Sequence, residues 1–211
     1  MPKIVCLSDT HNYNEQIAVP DGGILIHAGD ATIQGTIDEI VLFNEWFTNL
    51  PHPHKIFVAG NHDWLFETSN RLARTLLDSS IHYLEDSSVE IENLKIYGSP
   101  WQPRFFDWAF NLTRGTELAE KWRLIPGDTD ILITHGPPFG ILDEVPRQYW
   151  IENTGCDELR KRIEQVRPRL HVFGHIHCGY GQTEKFGVQF VNASNCDESY
   201  EPVNSPIVID L

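Results

Sequence analysis

Short apolar runs recur along the chain, and each one ends at a glycine or a polar residue. Five of them read KIVCL, GILIHA, KIFVA, DILIT and LHVF. They are rich in β-branched residues and show little polar alternation, which is typical of strands buried on both faces of a sheet. The pattern predicts strands at residues 3–7, 23–28, 55–59, 130–134 and 170–173.

Helical periodicity occupies the segments between these strands. It predicts helices over residues 37–50, 71–78, 117–124 and 156–166. Thr36, Ser69 or Asn70, and Thr116 are the expected capping residues of the first three, and the fourth ends before Pro168. Strands that alternate with helices favour an α/β fold in which much of the sheet is parallel.

The last third of the chain changes pattern. Residues 179–194 contain two alternating segments joined at KFG, which indicates a hairpin, and residues 205–211 end the sequence as a strand. Residues 87–100 predict another hairpin that turns near Glu92 and Asn93. Two sheets, one of them fed by hairpins, fit a layered sandwich. Without a repeat or a linker, the sequence predicts one domain over residues 1–211.

Composition narrows the class of protein. The chain has 211 residues, of which 41% are hydrophobic and 22% charged, as in ordinary soluble globular proteins. No apolar run approaches the roughly 20 residues that cross a bilayer, so we expect no membrane association. The N-terminal residues lack the pattern of a signal peptide, which predicts a cytoplasmic location.

The net charge and the cysteine pattern argue against nucleic-acid binding and against a cysteine-based zinc site or disulfide framework. The net charge of −14 opposes binding to long nucleic acids, because such binding depends on basic side chains that neutralise phosphates. The four cysteines are scattered, and no two form a CxxC pair. We therefore expect reduced thiols rather than a zinc site or a disulfide framework.

Polar clusters follow all five predicted strands. In open α/β sheets, ligands bind outside the carboxyl ends of the strands, so these clusters can meet at one place. Imidazoles mixed with carboxylates and one amide oxygen suit borderline-to-hard ions such as Mn, Fe, Zn or Ni. Asp9 and His11, like His175 and His177, are two residues apart, and in extended backbone each pair would face one side. The candidate residues are Asp9, His11, Asp30, Asn61, His62, Asp63, His135, His175 and His177.

Each of these residues alone has an ordinary structural explanation. A single histidine near a strand end is usually hydrogen-bonded or on the surface, and an aspartate after glycine is common in turns. The combinations are rarer: G-N-H-[D/E] is expected by chance in roughly a few per thousand chains of this length. Because G-H-x-H is also present, coincidence is a poor explanation of both.

The ordered motifs D-x-H, G-D, G-N-H-[D/E], H-G and G-H-x-H resemble those of the calcineurin-type metallophosphoesterase superfamily, and they span Asp9 to His177. The segments SPWQPRFFDWAFN, THGPPFGILD and HVFGHIHCGYG resemble the MPPED group of small phosphodiesterases within it. This resemblance implies a four-layer αββα sandwich, with two mixed β-sheets flanked by helices.

The resemblance also implies a ligand set for two divalent or trivalent metal ions, manganese first, with iron, zinc or nickel as alternatives. Asp30 would bridge the two ions, and a hydroxide would bridge them opposite Asp30. The first ion would be held by Asp9, His11, Asp30 and His177, and the second by Asp30, Asn61, His135 and His175.

His62 is the implied catalytic residue that is not a ligand. Two ions about 3.5–4 Å apart clamp a phosphoryl group and generate a nucleophile at neutral pH, and His62 could assist the leaving oxygen. Asp63 or a neighbour would orient the His62 ring, but Asp63 could equally be a turn cap. Both readings of Asp63 stay open at this point.

Five residues are candidates for substrate binding. Trp101, Phe106 and Trp108 could stack against a base or an aryl group, whereas Phe105 and Phe110 are expected in the core. Arg104 could bind a phosphate or remain a surface charge. Tyr180 could line the pocket or pack at a hairpin.

The resemblance makes small phosphodiesters, cyclic nucleotides above all, the expected substrates. Long nucleic acids and membranes are not expected partners, and the sequence does not define the oligomeric state. Two alternatives stay open. The same metal core could hydrolyse phosphomonoesters, or the fold could be a catalytically silent scaffold for partner proteins. The complete set of ligand types favours the enzyme.

Overall fold

The five strands predicted from the apolar runs all form, and their bounds lie within two residues of the predicted ones. The structure, a computed structural model, describes residues 2–211. Its strands are β1 Lys3–Leu7, β2 Ile24–His27, β3 His54–Phe57, β4 Ile81–Tyr83, β5 Ser87–Ile91, β6 Leu94–Ser99, β7 Gln102–Pro103, β8 Asn111–Leu112, β9 Ile131–Thr134, β10 Glu144–Pro146, β11 Ile151–Asn153, β12 Leu170–Phe173, β13 Gly181–Lys185, β14 Val188–Asn192 and β15 Ile207–Asp210.

Within residues 2–211, five α-helices and two short 3₁₀ helices connect the strands. The α-helices are α1 Ile37–Asn49, α2 Trp64–Thr68, α3 Asn70–Thr75, α4 Thr116–Trp122 and α5 Asp157–Val166. The 3₁₀ helices are Asn14–Gln16 and His177–Gly179. Among residues 2–211, no helix has both the length and the apolar character that crossing a membrane requires.

Two large mixed sheets organise the fold. The first has the order β15-β1-β2-β3-β4, in which β1 to β4 are parallel and β15 is antiparallel to β1. The second has the order β13-β14-β12-β9-β6-β5. Its four inner strands are parallel, and its edge strands β13 and β5 are antiparallel to their neighbours. The parallel strands of each sheet therefore end at a common edge.

The two sheets pack face to face through alternate aliphatic side chains. Ile4, Ile26 and Val58 come from the first sheet, and they share one fully buried cluster with Ile133 and Val172 of the second. Since both faces of these strands are covered, the sequence reads as continuous apolar runs rather than alternation. This cluster is the central layer of the core.

Helices cover the outer face of each sheet. Phe43 and Phe47 of α1 are buried in one cluster with Phe57 of β3, whereas Trp122 of α4 is buried in another with Phe173 of β12. The layers therefore run helix, sheet, sheet, helix. The predicted four-layer αββα sandwich is confirmed.

One of the predicted N-cap residues caps its helix with its side chain, and two do not. Thr36 caps α1 in a capping box, because its side chain accepts from the Glu39 N–H while the Glu39 carboxylate accepts from the Thr36 N–H. Thr116 is not a cap, since it is the first residue of α4 and Gly115 (φ 92°) precedes it. Ser69 occupies the capping position of α3, but its side chain makes no capping bond.

The predicted hairpins are present, and five short strands were missed. β5 and β6 turn at Glu92 and Asn93, which both have positive φ, and β13 pairs with β14 as expected. The missed strands are β4, β7, β8, β10 and β11, each of two or three residues and therefore too short to show a pattern. β14 also pairs parallel with β12, so its carboxyl end lies at the same edge as that of β12.

Candidate metal centre

The polar residues that follow β1, β2, β3, β9 and β12 meet at the carboxyl edges of the two sheets. Five parallel strands from two sheets supply them, which is why residues far apart in sequence become neighbours. The carboxylates of Asp9 and Asp30 are buried, as is the imidazole of His135. Ionisable groups are rarely buried this deeply unless they are paired or bind an ion.

One group of candidate ligands consists of Asp9, His11 and His177. A ligand atom from each lies within 4.8 Å of the others. His177 Nε2 lies 3.4 Å from Asp9 Oδ1 and 3.3 Å from His11 Nε2. These residues come from the ends of β1 and β12, which belong to different sheets, so this group bridges the sandwich.

A second group consists of Asp30, His135 and His175, again with one ligand atom each within 4.8 Å. Asn61 adds an amide oxygen, since its Oδ1 lies 2.9 Å from His135 Nε2. Asp30 lies between the groups: its Oδ2 is 3.3 Å from His135 Nε2 and 3.9 Å from His11 Nε2. This is the position that a bridging carboxylate requires.

Backbone carbonyls fix which ring nitrogen of three histidines faces the centre. The Nδ1 atoms of His11, His135 and His177 lie 3.2, 3.0 and 2.8 Å from the carbonyl oxygens of Thr32, Ala28 and Asp197. Because a carbonyl only accepts, each Nδ1–H must donate, and each Nε2 is directed inward, as in metal-binding histidines.

This orientation brings two Nε2 atoms together. The His11 and His177 Nε2 atoms are 3.3 Å apart, although both rings already donate through Nδ1. Two facing acceptors repel each other unless a proton or a metal ion lies between them. The donor set therefore fits a cation at this point.

Burial and neighbouring charges shift the pKa values of these groups in opposite directions. Burial lowers the pKa of His11 to about 4 and that of His175 to about 3. Burial also disfavours charge on His135 and His177, but the neighbouring Asp30 and Asp9 carboxylates outweigh it and raise both pKa values to about 9. A bound cation must therefore displace protons from His135 and His177.

Several ligands adopt strained backbone conformations, contrary to the extended backbone expected from their spacing. Asp9, His11, Asp30 and His175 have φ between 42° and 67°. Non-glycine residues in this left-handed region concentrate at functional sites, where the surrounding structure holds them. The two-residue spacing therefore brings ligands together through tight turns rather than along one strand face.

Two glycines of the motifs leave room for carboxylates of other loops. A Cβ at Gly174 would overlap the Asp9 carboxylate, and a Cβ at Gly60 would overlap Asp30. Each glycine precedes a candidate ligand, Asn61 or His175. The glycines of G-N-H-D and G-H-x-H are thus part of the centre.

His62 faces the same centre and forms a third group of possible ligands with His11 and Asp30, in which one ligand atom of each lies within 4.8 Å of the others. Its Nδ1 donates to the Ile33 carbonyl at 2.8 Å. The His62 backbone N–H also donates to Asp30 Oδ1 at 2.8 Å. The ring is thereby fixed with Nε2 available to a bound molecule.

Asp63 does not orient the His62 ring, because the Ile33 carbonyl takes that role. The Asp63 carboxylate instead accepts from Gly60 N at 2.7 Å and from Thr32 N and Oγ1 at 3.1 and 2.7 Å. Burial, followed by repulsion from Asp30, raises the pKa of Asp63 to about 6. The turn interpretation of Asp63 therefore describes it better than a catalytic one.

The predicted substrate-binding residues separate into two kinds. Trp108 lies at the centre, with its ring centroid 4.1 Å from that of His62. Trp101 does not stack toward the centre as predicted: its indole N–H donates to Asp86, and Lys121 lies 4.1 Å above its ring. Tyr180 donates to the Ser205 carbonyl at 2.8 Å, which fits the packing interpretation.

The loop between Trp101 and Trp108 is exposed. Arg104 lies 3.6 Å from the carboxylate of Asp107, a surface pairing rather than a contact with the centre. Phe106 is exposed and packs against Phe105. Phe105, expected in the core, is instead exposed, and its ring centroid lies 6.1 Å from that of His175. Phe110 is buried as predicted.

Two residues at the centre were missed. The Tyr200 ring centroid lies 4.7 Å from that of His11 and 5.4 Å from that of His177. Ser194 Oγ donates to Asp9 Oδ2 at 2.8 Å. Both follow β14, and the polar sequence NASN after this strand was an available signal once β14 is known to pair parallel with β12.

Comparison with known proteins agrees with this geometry. Residues 2–179 match the family described as "Calcineurin-like phosphoesterase". The chain belongs to that family. The family is dinuclear and metal-dependent, so the chain is a metal-dependent phosphoric ester hydrolase.

The chain is also similar to individual proteins over nearly its whole length. It is 47% identical to human "Metallophosphoesterase domain-containing protein 1", over 99% of this chain and 71% of that protein. It is 37% identical to the Caenorhabditis elegans "UPF0046 protein K07C11.7", over 98% of this chain and 74% of that protein.

Among solved structures, the chain resembles the protein TT1561 of Thermus thermophilus, with a TM-score of 0.61 and 12% identity over 99% of this chain and 98% of that one. A putative 5′-nucleotidase from Staphylococcus aureus gives a TM-score of 0.54 and 14% identity over 98% of this chain and 53% of that one. At such low identities, these likenesses concern the fold alone.

Proposed function

We propose that the protein is a phosphodiesterase that hydrolyses small phosphodiesters, with cyclic nucleotides as the first candidates, in the cytoplasm. The observation that carries the proposal is the position of the His62 ring. It lies beside both ligand groups, yet its Nδ1 is committed to Ile33 and its Nε2 is free to meet a substrate. A purely structural metal site would have no need of such a residue.

Seven residues are proposed to bind metal, and His62 is proposed to donate a proton. Asp9, His11, Asp30, Asn61, His135, His175 and His177 are the residues that would hold two metal ions, manganese first. Ions at such a centre supply charge stabilisation for a phosphoryl group and a lowered pKa of water. A water oxygen would bond to phosphorus as the bond to the leaving oxygen breaks; the electron pair of the broken bond passes to that oxygen, and protonated His62 would donate the Nε2 proton to it.

The surroundings of the centre support a diester over a monoester. A monoester carries more negative charge and favours additional basic side chains, but Arg104, the expected phosphate-binding residue, pairs with Asp107. The net charge of −14 also opposes highly charged substrates. Around the histidines lie aromatic rings instead, from Phe105 and Tyr200. Such rings suit the apolar groups of a diester.

The experiment is turnover by metal-stripped protein reconstituted separately with Mn, Fe, Ni, Zn or Mg. Bis(p-nitrophenyl) phosphate and p-nitrophenyl phosphate are compared first, followed by the 2′,3′- and 3′,5′-cyclic nucleotides. We expect a higher kcat/KM for the diester. Preferential hydrolysis of the monoester would make the protein a phosphomonoesterase, and bound metal without turnover of any ester would favour the scaffold alternative.

A further inference from the structure

We propose that Trp108 is a positioning residue for His62 rather than a surface for stacking substrate. This inference rests on the proposed role of His62 at the leaving oxygen. The two ring centroids are 4.1 Å apart with 31° between the ring planes, so one face of the imidazole is covered by the indole. The indole face that lies toward the centre is thereby used by His62.

The backbone beside Trp108 is joined to the loop that carries His62. The N–H of Ala109 donates to the carbonyl of Asn61 at 3.2 Å. Trp64, two residues after His62, also has its ring centroid 6.3 Å from that of Trp108. These contacts hold the indole against the G-N-H-D-W loop, although Trp108 belongs to a distant segment of the chain.

The remaining sides of the imidazole are held by other groups. Nδ1 donates to the Ile33 carbonyl at 2.8 Å, and the His11 ring meets the His62 ring nearly edge-on, at 4.8 Å and 80°. The hydrogen bond restricts the tilt of the ring but permits rotation about the line between Nδ1 and the carbonyl. Trp108 opposes that rotation, which fixes the direction of Nε2. Small displacements of a reacting group can lower rates by about 100-fold.

The experiment uses the metal-loaded full chain and two diesters, bis(p-nitrophenyl) phosphate and diphenyl phosphate. Phenol is the poorer leaving group and depends more on proton donation. Trp108→Ala is expected to lower kcat by about 10- to 100-fold for diphenyl phosphate and several-fold less for the nitrophenyl ester. Trp108→Phe should restore most of the loss, and Trp108→Ala should add little in a His62→Ala background.

Trp101→Ala is the matched control, since it removes a half-buried tryptophan of the same segment whose indole N–H donates to Asp86 instead. It should keep the wild-type ratio between the two diesters. An equal loss of kcat on both diesters for Trp108→Ala would overturn the inference and indicate general packing. An increase in KM alone would also overturn it and indicate that Trp108 stacks on the substrate.

A second readout does not depend on turnover. Proton–nitrogen NMR spectra of the metal-free protein report the ring environment of His62, and the His62 signals are assigned as those missing from His62→Ala. We expect one sharp set of ring signals in the wild type and broadened or doubled signals in Trp108→Ala, because Ile33 holds Nδ1 but Trp108 holds the ring plane; an unchanged set of signals would contradict the inference. If only monoesters are hydrolysed, p-nitrophenyl phosphate and phenyl phosphate replace the diesters, so failure of the diesterase proposal is separated from failure of this one.

Discussion

Asp63 and Thr32 are joined by two hydrogen bonds, from Thr32 N and Oγ1 to Asp63 Oδ1 at 3.1 and 2.7 Å. Because Thr32 follows β2 and Asp63 follows β3, the pair connects the loops that carry Asp30 and Asn61. The second carboxylate oxygen accepts from Gly60 N, which closes the turn around Asn61. One buried carboxylate therefore fixes the separation of two candidate ligands.

Asp63→Ala is expected to lower the free energy of unfolding by about 3 kcal/mol, because it leaves several buried donors without an acceptor. Asp63→Asn, which keeps one oxygen, should cost less. Urea denaturation of the metal-free variants measures both. A loss of kcat with unchanged stability would instead assign Asp63 a role in the chemistry.

His62→Ala is expected to retain both metal ions and lose about 10²- to 10⁴-fold in kcat, the usual contribution of a proton donor. Elemental analysis and steady-state kinetics on the same preparation give the two quantities. The control is His82→Ala, a half-buried histidine in β4. Metal loss from His62→Ala would mean that this histidine is a ligand.

Asp30→Ala is expected to remove both ions, because the carboxylate lies between the two ligand groups. His177→Ala alters only the group that contains Asp9 and His11, so it should keep one ion. Metal content after exhaustive dialysis distinguishes the variants. One tightly held ion in Asp30→Ala would contradict a bridging position.

Ser194→Ala is expected to weaken metal binding about 10- to 100-fold, since groups that orient a ligand have effects of this size. The hydroxyl donates to Asp9 Oδ2 at 2.8 Å, and both residues are fully buried. Ser8→Ala is the matched control, because Ser8 Oγ donates to the Gly29 carbonyl instead. Titration with Mn measures the affinities, and equal values for the two variants would exclude an orienting role of Ser194.

Because His171 is buried and uncharged, the free energy of unfolding is expected to fall in acid. Burial lowers the pKa of His171 to about 3, whereas an unfolded histidine titrates near 6.5. Between these values the unfolded chain binds the extra proton, so stability is complete above about pH 6.5 and falls as the pH decreases. Between pH 6.5 and 5 the loss is about 2 kcal/mol.

His171→Gln should reduce this pH dependence in the metal-free protein, because glutamine does not titrate. Thr134→Val removes the hydroxyl that lies 2.8 Å from His171 Nε2 but keeps the ring. That control should retain the pH dependence at lower overall stability. Identical slopes in the wild type and His171→Gln would refute the assignment.

The sequence predicts the layers and the ligand types for a physical reason. Buried parallel strands require apolar runs, and their carboxyl ends share an edge, so motifs such as Asp9–His11 and His175–His177 could be assigned to one centre without coordinates. The extended backbone predicted for those motifs was wrong. Asp9 and His175 have left-handed φ values, which depend on contacts with other loops.

For the aromatic segment at residues 100–111, the local sequence pattern does not predict which side chains face the metal centre. Trp101 and Trp108 are the same residue type seven positions apart, yet one packs beside Lys121 and the other on His62. The path of the loop decides between them, and that path follows the short pairing of β7 with β8. Tyr200 was missed because no periodic pattern marks its loop.

The glycines at positions 60 and 174 make the motifs of this centre interdependent. Each leaves a space that the carboxylate of a different loop fills, Asp30 for Gly60 and Asp9 for Gly174. A loop transplanted alone, from a relative or from a design, would therefore misplace a ligand that it does not itself contain. The smallest unit that can be exchanged is a pair of loops, one with the glycine and one with the carboxylate.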